Sequence, residues 1–396
     1  MVSYEFLLFL AIILISTKAL GLFSRQIRLP AVVGALLAGI LLGPSVFNFI
    51  NFSGTAGEYL EITAEIGVIF LMFLAGLETD INELKSNIVP ALVTAIMGIA
   101  APLIGGTLAY VLYFHTTVTD STEFLKAIFI GVVLAATSVS ITVETLRELG
   151  KLKGKVGTTI LGAAIIDDIL GIIVLSVVIS MKTGASQPGV IIVKIIGYFV
   201  AMGVLAFAVL KLGKFIDKRG QRRRTAILAI AFCFLLSYVS EEFFGIADIT
   251  GAYFAGLMLC NTKAAGYIIE RVEVLSYLLF SPVFFASIGI KTTLSGMDAS
   301  LIGFAVILLV VAILTKVVGC GLGAKICKYT NKESLQIGIG MISRGEVALI
   351  VAQKGYQNGM LDDTLFAAIV FVVIITTLIT PILLKMSMKK PVPVGE

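Results

Sequence analysis

Histidine is almost missing from this 396-residue sequence, since His115 is the only one. A catalytic triad or an imidazole metal centre has almost nothing to work with. Cysteine is scarce too. Cys233, Cys260, Cys320 and Cys327 lie in or beside apolar runs with no C-x-x-C pair, so neither a disulfide framework nor a thiolate site is indicated, and no cofactor is expected. Charge is the third shortage. Only 14% of residues are charged, against ~25% in soluble domains, while 58% are hydrophobic, which describes an integral membrane protein with little outside the bilayer. The net charge of +5 sits in short loops and not on one polar face, so no nucleic-acid partner is expected. The first apolar run has no basic leader and goes straight into further spans, so it reads as a mature helix.

What the chain has in quantity is apolar runs. Thirteen are discernible, at roughly 4–22, 29–46, 60–77, 88–113, 124–146, 156–181, 189–210, 224–241, 246–261, 269–290, 298–324, 335–353 and 364–386. The loops between them are too short for an extra domain. Lys and Arg crowd the loops after runs one, five, seven and eleven and the tail after run thirteen, with Arg25 and Arg28 in the first and Lys151, Lys153 and Lys155 in the second. The positive-inside rule then places these loops and the C-terminus in the cytoplasm and the N-terminus outside. Arg222, Arg223 and Arg224, in the richest loop, suit anionic lipid headgroups.

An internal repeat is visible. Val33-Gly-Ala-Leu-Leu-Ala-Gly-Ile-Leu-Leu-Gly43 in run two matches Thr250-Gly-Ala-Tyr-Phe-Ala-Gly-Leu-Met-Leu-Cys260 in run nine. Phe73-Leu-Ala-Gly-Leu-Glu-Thr79 in run three matches Ala286-Ser-Ile-Gly-Ile-Lys-Thr292 in run ten more weakly. Small residues recur in membrane helices by themselves, but both pairs share one shift of seven runs. An odd shift reverses helix direction, giving an inverted-topology repeat, a plan of secondary transporters with the substrate site near the midplane.

Run six carries the most expensive residues. Asp167 and Asp168 sit in the middle of an apolar stretch from Val156 to Met181, long enough to cross a ~30 Å hydrocarbon core. An ionised Asp at that depth costs ~2.5–3.5 kcal/mol on insertion scales, so a pair marks an ion, proton or substrate pathway more readily than a structural contact. Runs five and twelve are each other's repeat partners, and both are polar at the centre: Ala135-Ala-Thr-Ser-Val-Ser-Ile-Thr142 and Gly340-Met-Ile-Ser-Arg-Gly-Glu-Val347. Thr137, Ser138, Ser343, Arg344 and Glu346 therefore point to discontinuous helices whose broken ends present backbone dipoles to an ion. Residues two apart on a helix do not face each other, so Arg344 and Glu346 each need a partner of their own. Lys316, in run eleven, is about 14 Å along the helix from Lys325 at 1.5 Å per residue, too deep to snorkel, and one of the two aspartates is its economical partner.

Thr137-Ser138, the aspartate pair, Lys316 and the stretch Ser343 to Glu346 together resemble the monovalent cation:proton antiporters, most closely their second branch, over nearly the whole chain. That resemblance implies an all-α polytopic fold of about 13 helices with two unwound helices crossing, and a homodimer. It implies a dimerisation domain in two parts (1–80 and 223–295), a core domain in two parts (81–182 and 296–396) and a linker helix over 183–222. Asp168 then matches the essential Na⁺ and proton carboxylate, Asp167 the neighbour that pairs with Lys316, and Thr137 and Ser138 the unwound segment beside the site. A glutathione-gated potassium branch carries a nucleotide-binding domain, and no G-x-G-x-x-G unit follows the last run here.

The expected activity is exchange of Na⁺ or Li⁺ for H⁺ across a prokaryotic cell membrane, electrogenic by the resemblance, by a transporter and not an enzyme. Adjacent helix positions are about 100° apart, so one aspartate faces an ion while the other meets Lys316. Burial and a lysine act oppositely on carboxylate titration, so the pair titrates as one coupled unit. K⁺/H⁺ exchange and a sodium-coupled organic-solute symporter remain as alternatives. An intramembrane aspartyl protease needs its carboxylates on two facing helices, which consecutive residues do not provide, and a channel or structural protein leaves the aspartate pair without a task.

Overall fold

The computed structural model describes residues 4–26, 31–50, 54–116, 121–183, 188–218, 223–291, 299–357 and 359–388, and the regular structure among them is helical throughout. Helices α1 (Glu5–Gln26), α2 (Ala31–Leu42) and α3 (Thr55–Glu78) precede a short α4 (Ile81–Ser86). They are followed by α5 (Ile88–Phe114), the interrupted pair α6 (Ser121–Ala135) and α7 (Val139–Glu148), and α8 (Lys155–Thr183). After α9 (Pro188–Lys218) come α10 (Arg223–Val239), α11 (Asp248–Leu259), α12 (Ala265–Leu275) and α13 (Ser281–Ile290). The series ends with α14 (Ala299–Ile326), a second interrupted pair α15 (Asn331–Gly340) and α16 (Glu346–Gln357), and α17 (Asp363–Met388).

Ten stretches among the described residues are long and apolar enough to cross a membrane. The three other runs expected from the sequence fall on the 12-residue helices α2 and α11 and on the broken pair α15–α16. Side-chain placement suits a lipid surround. Leu7, Ile15, Val193, Val200 and Phe207 are exposed on α1 and α9, while Lys316, Arg344 and Asp167 are buried. Apolar groups outward and ionisable groups inward reverse the habit of a soluble protein.

Three details were not legible in the runs. Helix α4 fills part of a predicted loop, starting beside Asp80, whose Oδ1 accepts the Asn82 N–H at 2.8 Å. Two π-helical turns, Ser240–Phe244 and Ser276–Phe280, widen the ends of α10 and α12. Single π turns mark functional or packing sites in other helices. Here the second accompanies a buried hydroxyl contact of 2.8 Å between Ser276 and Ser281. Helix α15 starts four residues before the apolar run, at a capping box: in Thr330-Asn-Lys-Glu333 the Glu333 N–H donates to Thr330 Oγ1 at 3.2 Å and Thr330 N–H to Glu333 Oε2 at 2.9 Å. The Thr330 N–H holds the Glu333 carboxyl below its ordinary value.

The chain divides into two compact units. One comprises Met1–Leu20, Ala35–Ser86 and Asp168–Ser295, the other Gly21–Gly34, Asn87–Asp167 and Gly296–Glu396. In the first, the repeat is expressed contact for contact. A Cβ on Gly256 would strike the carbonyl of Phe73, and one on Gly76 the backbone of Tyr253 and Leu257. The matching Cβ on Gly39 would strike the carbonyl of Ala286, and one on Gly289 the backbone of Leu36 and Ile40. Each atom in the second set is the repeat counterpart of one in the first. Helices α3 and α11 thus pack as α13 and α2 do, backbone against backbone, which only glycine permits. In the second unit α5 and α14 close up similarly, Gly319 against Met97 and Ala101, and Gly323 against Thr94.

Candidate functional site

Helix α8 is apolar, free of proline and unbroken for 29 residues, so it carries Asp167 and Asp168 into the interior on a rigid rod. Asp167 is 2% exposed and Asp168 7%. Lys316, fully buried on α14, sets its Nζ 3.2 Å from Oδ1 and 3.1 Å from Oδ2 of Asp167. A charge pair this deep is held by geometry, because desolvation offsets much of its attraction. Asp168 points about 100° away around the same helix. One turn further on, a Cβ placed on Gly171 would meet no atom of the described residues within 4 Å.

The two helix interruptions meet in the second unit. Residues 136–138 separate α6 from α7 and residues 341–345 separate α15 from α16. Ser138 N–H donates to the Ser343 carbonyl at 2.8 Å, and Ser343 Oγ donates to the Ser138 carbonyl at 2.7 Å. Thr142 Oγ1 donates to the Gly340 carbonyl at 2.7 Å and lies 3.0 Å from Ser343 Oγ. The breaks therefore satisfy one another's backbone in the buried interior. Gly345 makes the approach possible, since a Cβ there would lie 2.6 Å from Ser138 Oγ. Thr137 is buried beside Ser138, its hydroxyl 3.5 Å from the Ala135 carbonyl.

Among the described residues Arg344 is the largest fully buried side chain, and it takes backbone carbonyls as partners. Its Nη2 donates to Leu134 at 2.5 Å and to Ala312 at 3.3 Å, and its Nη1 to Met341 at 3.3 Å and to Ile342. Leu134 closes α6 and Met341 and Ile342 follow α15, so one guanidinium covers the negative ends of two helices. The Thr377 hydroxyl on α17 donates in turn to the Arg344 carbonyl. Asp167 is within electrostatic reach of Arg344 as well as bonded to Lys316.

Of the residues expected from the sequence, Thr137, Ser138, Ser343, Arg344, Lys316 and Asp167 come together in the second unit, and Asp168 follows Asp167 on α8. The side chains of Glu346 and Arg223 and the whole of Arg222 lie outside the described residues; Arg224 is exposed at the start of α10. Sequence reasoning passed over Thr377 and gave Thr142 no role. A threonine cluster, Thr376-Thr377 with Thr380, in an otherwise apolar run was the available signal. Chemically the site offers hard oxygen ligands, a titratable carboxylate beside a lysine-paired one, and oriented backbone dipoles, a set suited to a monovalent cation and a proton.

The profile of a family described as "Sodium/hydrogen exchanger, transmembrane" matches residues 9–390. The Na(+)/H(+)-K(+) antiporter GerN of Bacillus cereus is 40% identical over 385 residues, which cover 97% of this chain and 96% of that protein. A Na(+)/H(+) antiporter of Enterococcus hirae is 37% identical over 391 residues, 98% of this chain and 99% of its own. Among solved structures, the sodium proton antiporter MjNhaP1 of Methanocaldococcus jannaschii at pH 8 superposes with a TM-score of 0.72 at 19% identity, over 97% of this chain and 98% of that one, a likeness of fold.

Proposed function

The chain belongs to the transmembrane sodium/hydrogen exchanger family and is a cation:proton antiporter, and from that premise we propose that it exchanges Na⁺ or Li⁺ for H⁺ at Asp168. The observation that carries the reading is the division of labour on α8: Lys316 engages Asp167, while Asp168, one position on, is turned elsewhere on the helix. A proton and a cation compete for the Asp168 oxygens, and occupancy by either lets the carrier reorient. Residues 81–182 and 296–396, with both helix breaks and both aspartates, serve as the core that moves, and 1–80 and 223–295 as the dimerisation domain. Alternating access around a site fixed in the core follows the inverted-repeat plan. The protein works as a homodimer in a prokaryotic plasma membrane with its N-terminus outside, its Lys- and Arg-rich loops in the cytoplasm and Arg222–Arg224 against anionic lipid.

Exchange is electrogenic if the Na⁺-bound state has both aspartates ionised and Lys316 deprotonated, one proton having left Asp168 and one Lys316. Two protons then return per Na⁺, and the membrane potential contributes ~2.3 kcal/mol per charge per 100 mV. Purified protein in liposomes with a pH-sensitive dye inside is expected to move protons when Na⁺ or Li⁺ is added, and a Na⁺ jump on a solid-supported membrane is expected to give a current. No proton movement with Na⁺, Li⁺ or K⁺ between about pH 6 and 9 sinks the exchange reading, and proton flux without current sinks the electrogenic one. K⁺ is the second candidate cargo, because the name of the Bacillus cereus relative includes it; a K⁺ response exceeding that to Na⁺ decides for it.

Lys316→Gln tests the pairing. The amide removes the charge and, one bond shorter than the lysine, draws back from Asp167, so transport is expected to persist with a displaced pH midpoint and a reduced current per proton moved. An unchanged midpoint and current would remove Lys316 from the cycle.

A further inference from the structure

Lys316 reaches from α14 to Asp167 on α8, and the wall of its slot on the α5 side is Gly98. A Cβ on Gly98 would lie 2.6 Å from Cys320 Sγ and 3.6 Å from Lys316 Nζ. The first distance is closer than real contacts allow, and the second is ordinary van der Waals contact. Cys320 stands one turn beyond Lys316 on the same face of α14, and both are fully buried. Backing α5 away from α14 would open the close contacts that Gly319 and Gly323 of α14 make with Met97, Ala101 and Thr94 on either side of Gly98.

We propose that Gly98 is a positioning residue for Lys316: its missing side chain leaves the Cys320 thiol in place and the ammonium free to sit on Asp167. The inference rests on the role given above to Lys316. The bonds at stake have little slack, since 3.1 and 3.2 Å are at the long end of the N–H···O range, and a shift of a few tenths of an ångström carries them past it. A methyl at position 98 displaces the thiol on the face it shares with Lys316, and the displaced thiol shifts the lysine; the methyl itself only touches Nζ.

The test is the pH profile of Na⁺-driven proton movement in proteoliposomes for a set of variants. Gly98→Ala is expected to move the midpoint by about half a unit or more, in the direction Lys316→Gln moves it. Cys320→Ala alone keeps the wild-type midpoint, and adding it to Gly98→Ala restores that midpoint by removing the atom the methyl strikes. In a Lys316→Gln background Gly98→Ala shifts nothing further. A wild-type midpoint in Gly98→Ala, no rescue by Cys320→Ala, or an equal shift on top of Lys316→Gln overturns the proposal, and a purely structural glycine would give the last of these. If Gly98→Ala yields no folded protein, Cys320→Leu fills the slot from the α14 side and is expected to shift the midpoint likewise; a wild-type midpoint in it overturns the proposal. Wild-type protein that moves no protons sinks the antiport reading and this inference together, whereas active wild-type protein with an unmoved Gly98→Ala sinks this inference only.

Discussion

Asp168→Asn eliminates cation-driven proton movement, with an expected loss of ~10²-fold or more, the scale on which a positioned proton-transfer group matters. The amide has nearly the carboxylate's shape and neither its charge nor a titratable proton, so at the proposed site both cargoes would lose their shared ligand in one step. Helix α8 is otherwise untouched, and the melting temperature in detergent is expected to stay close to wild type. Asp167→Asn gives the opposite signature. It leaves Lys316 buried without its carboxylate, and breaking a buried pair costs ~3–5 kcal/mol, so it lowers the melting temperature first and transport second. Dye-loaded liposomes and a thermal-unfolding curve on both variants separate the two. Normal exchange by Asp168→Asn removes the proposed site at its centre.

Arg344→Leu is expected to prevent recovery of stable protein. The guanidinium donates to the carbonyls of Leu134, Ala312, Met341 and Ile342, all in the interior. Ala312 lies inside α14 and keeps its helical donor, but each of the other three acceptors left without a donor costs ~1–3 kcal/mol, and the sum is a large part of the stability of an ordinary domain, ~5–15 kcal/mol. The two helix ends it covers also lose the positive charge that opposes their dipoles. Arg344→Lys restores charge but offers three donors on a point in place of a planar fork, so an intermediate melting temperature is expected. The measurement is the unfolding temperature of detergent-solubilised protein beside its yield as a monodisperse species. An Arg344→Leu protein melting within about 2 °C of wild type shows that the carbonyls find other donors.

What the sequence made legible was whatever the bilayer makes expensive. Asp167, Asp168, Lys316 and Arg344 stood out because an ionisable residue in an apolar run needs a reason, and the lysine's depth required a carboxylate. The glycines of runs two, three, nine and ten stood out because they recur at one shift, and the structure turns that recurrence into matched backbone contacts. Arg344's partners were illegible for a simple reason: backbone carbonyls are present at every position and leave no trace in residue identity. The π turns were hidden likewise, since one extra residue per turn changes neither hydropathy nor length enough to see. Thr377 was missed because a threonine in a membrane helix commonly bonds its own preceding turn, as Thr376 does to Val372, and only the tertiary fold sends its neighbour to Arg344 instead.

The matched glycine contacts have a consequence for biogenesis. Gly76 and its partner Gly256 are separated by about 180 residues, and Gly39 and Gly289 by about 250. At ~5–20 residues per second of synthesis, α2 and α3 leave the ribosome roughly ten to fifty seconds before the helices that close against them exist. Insertion needs only the apolar length of each segment, but assembly needs the partner, so the two events are parted in time by translation itself. During that interval the notched faces of the early helices lie against lipid or a chaperone. A pause or truncation between α9 and α11 therefore strands an inserted but unassembled half.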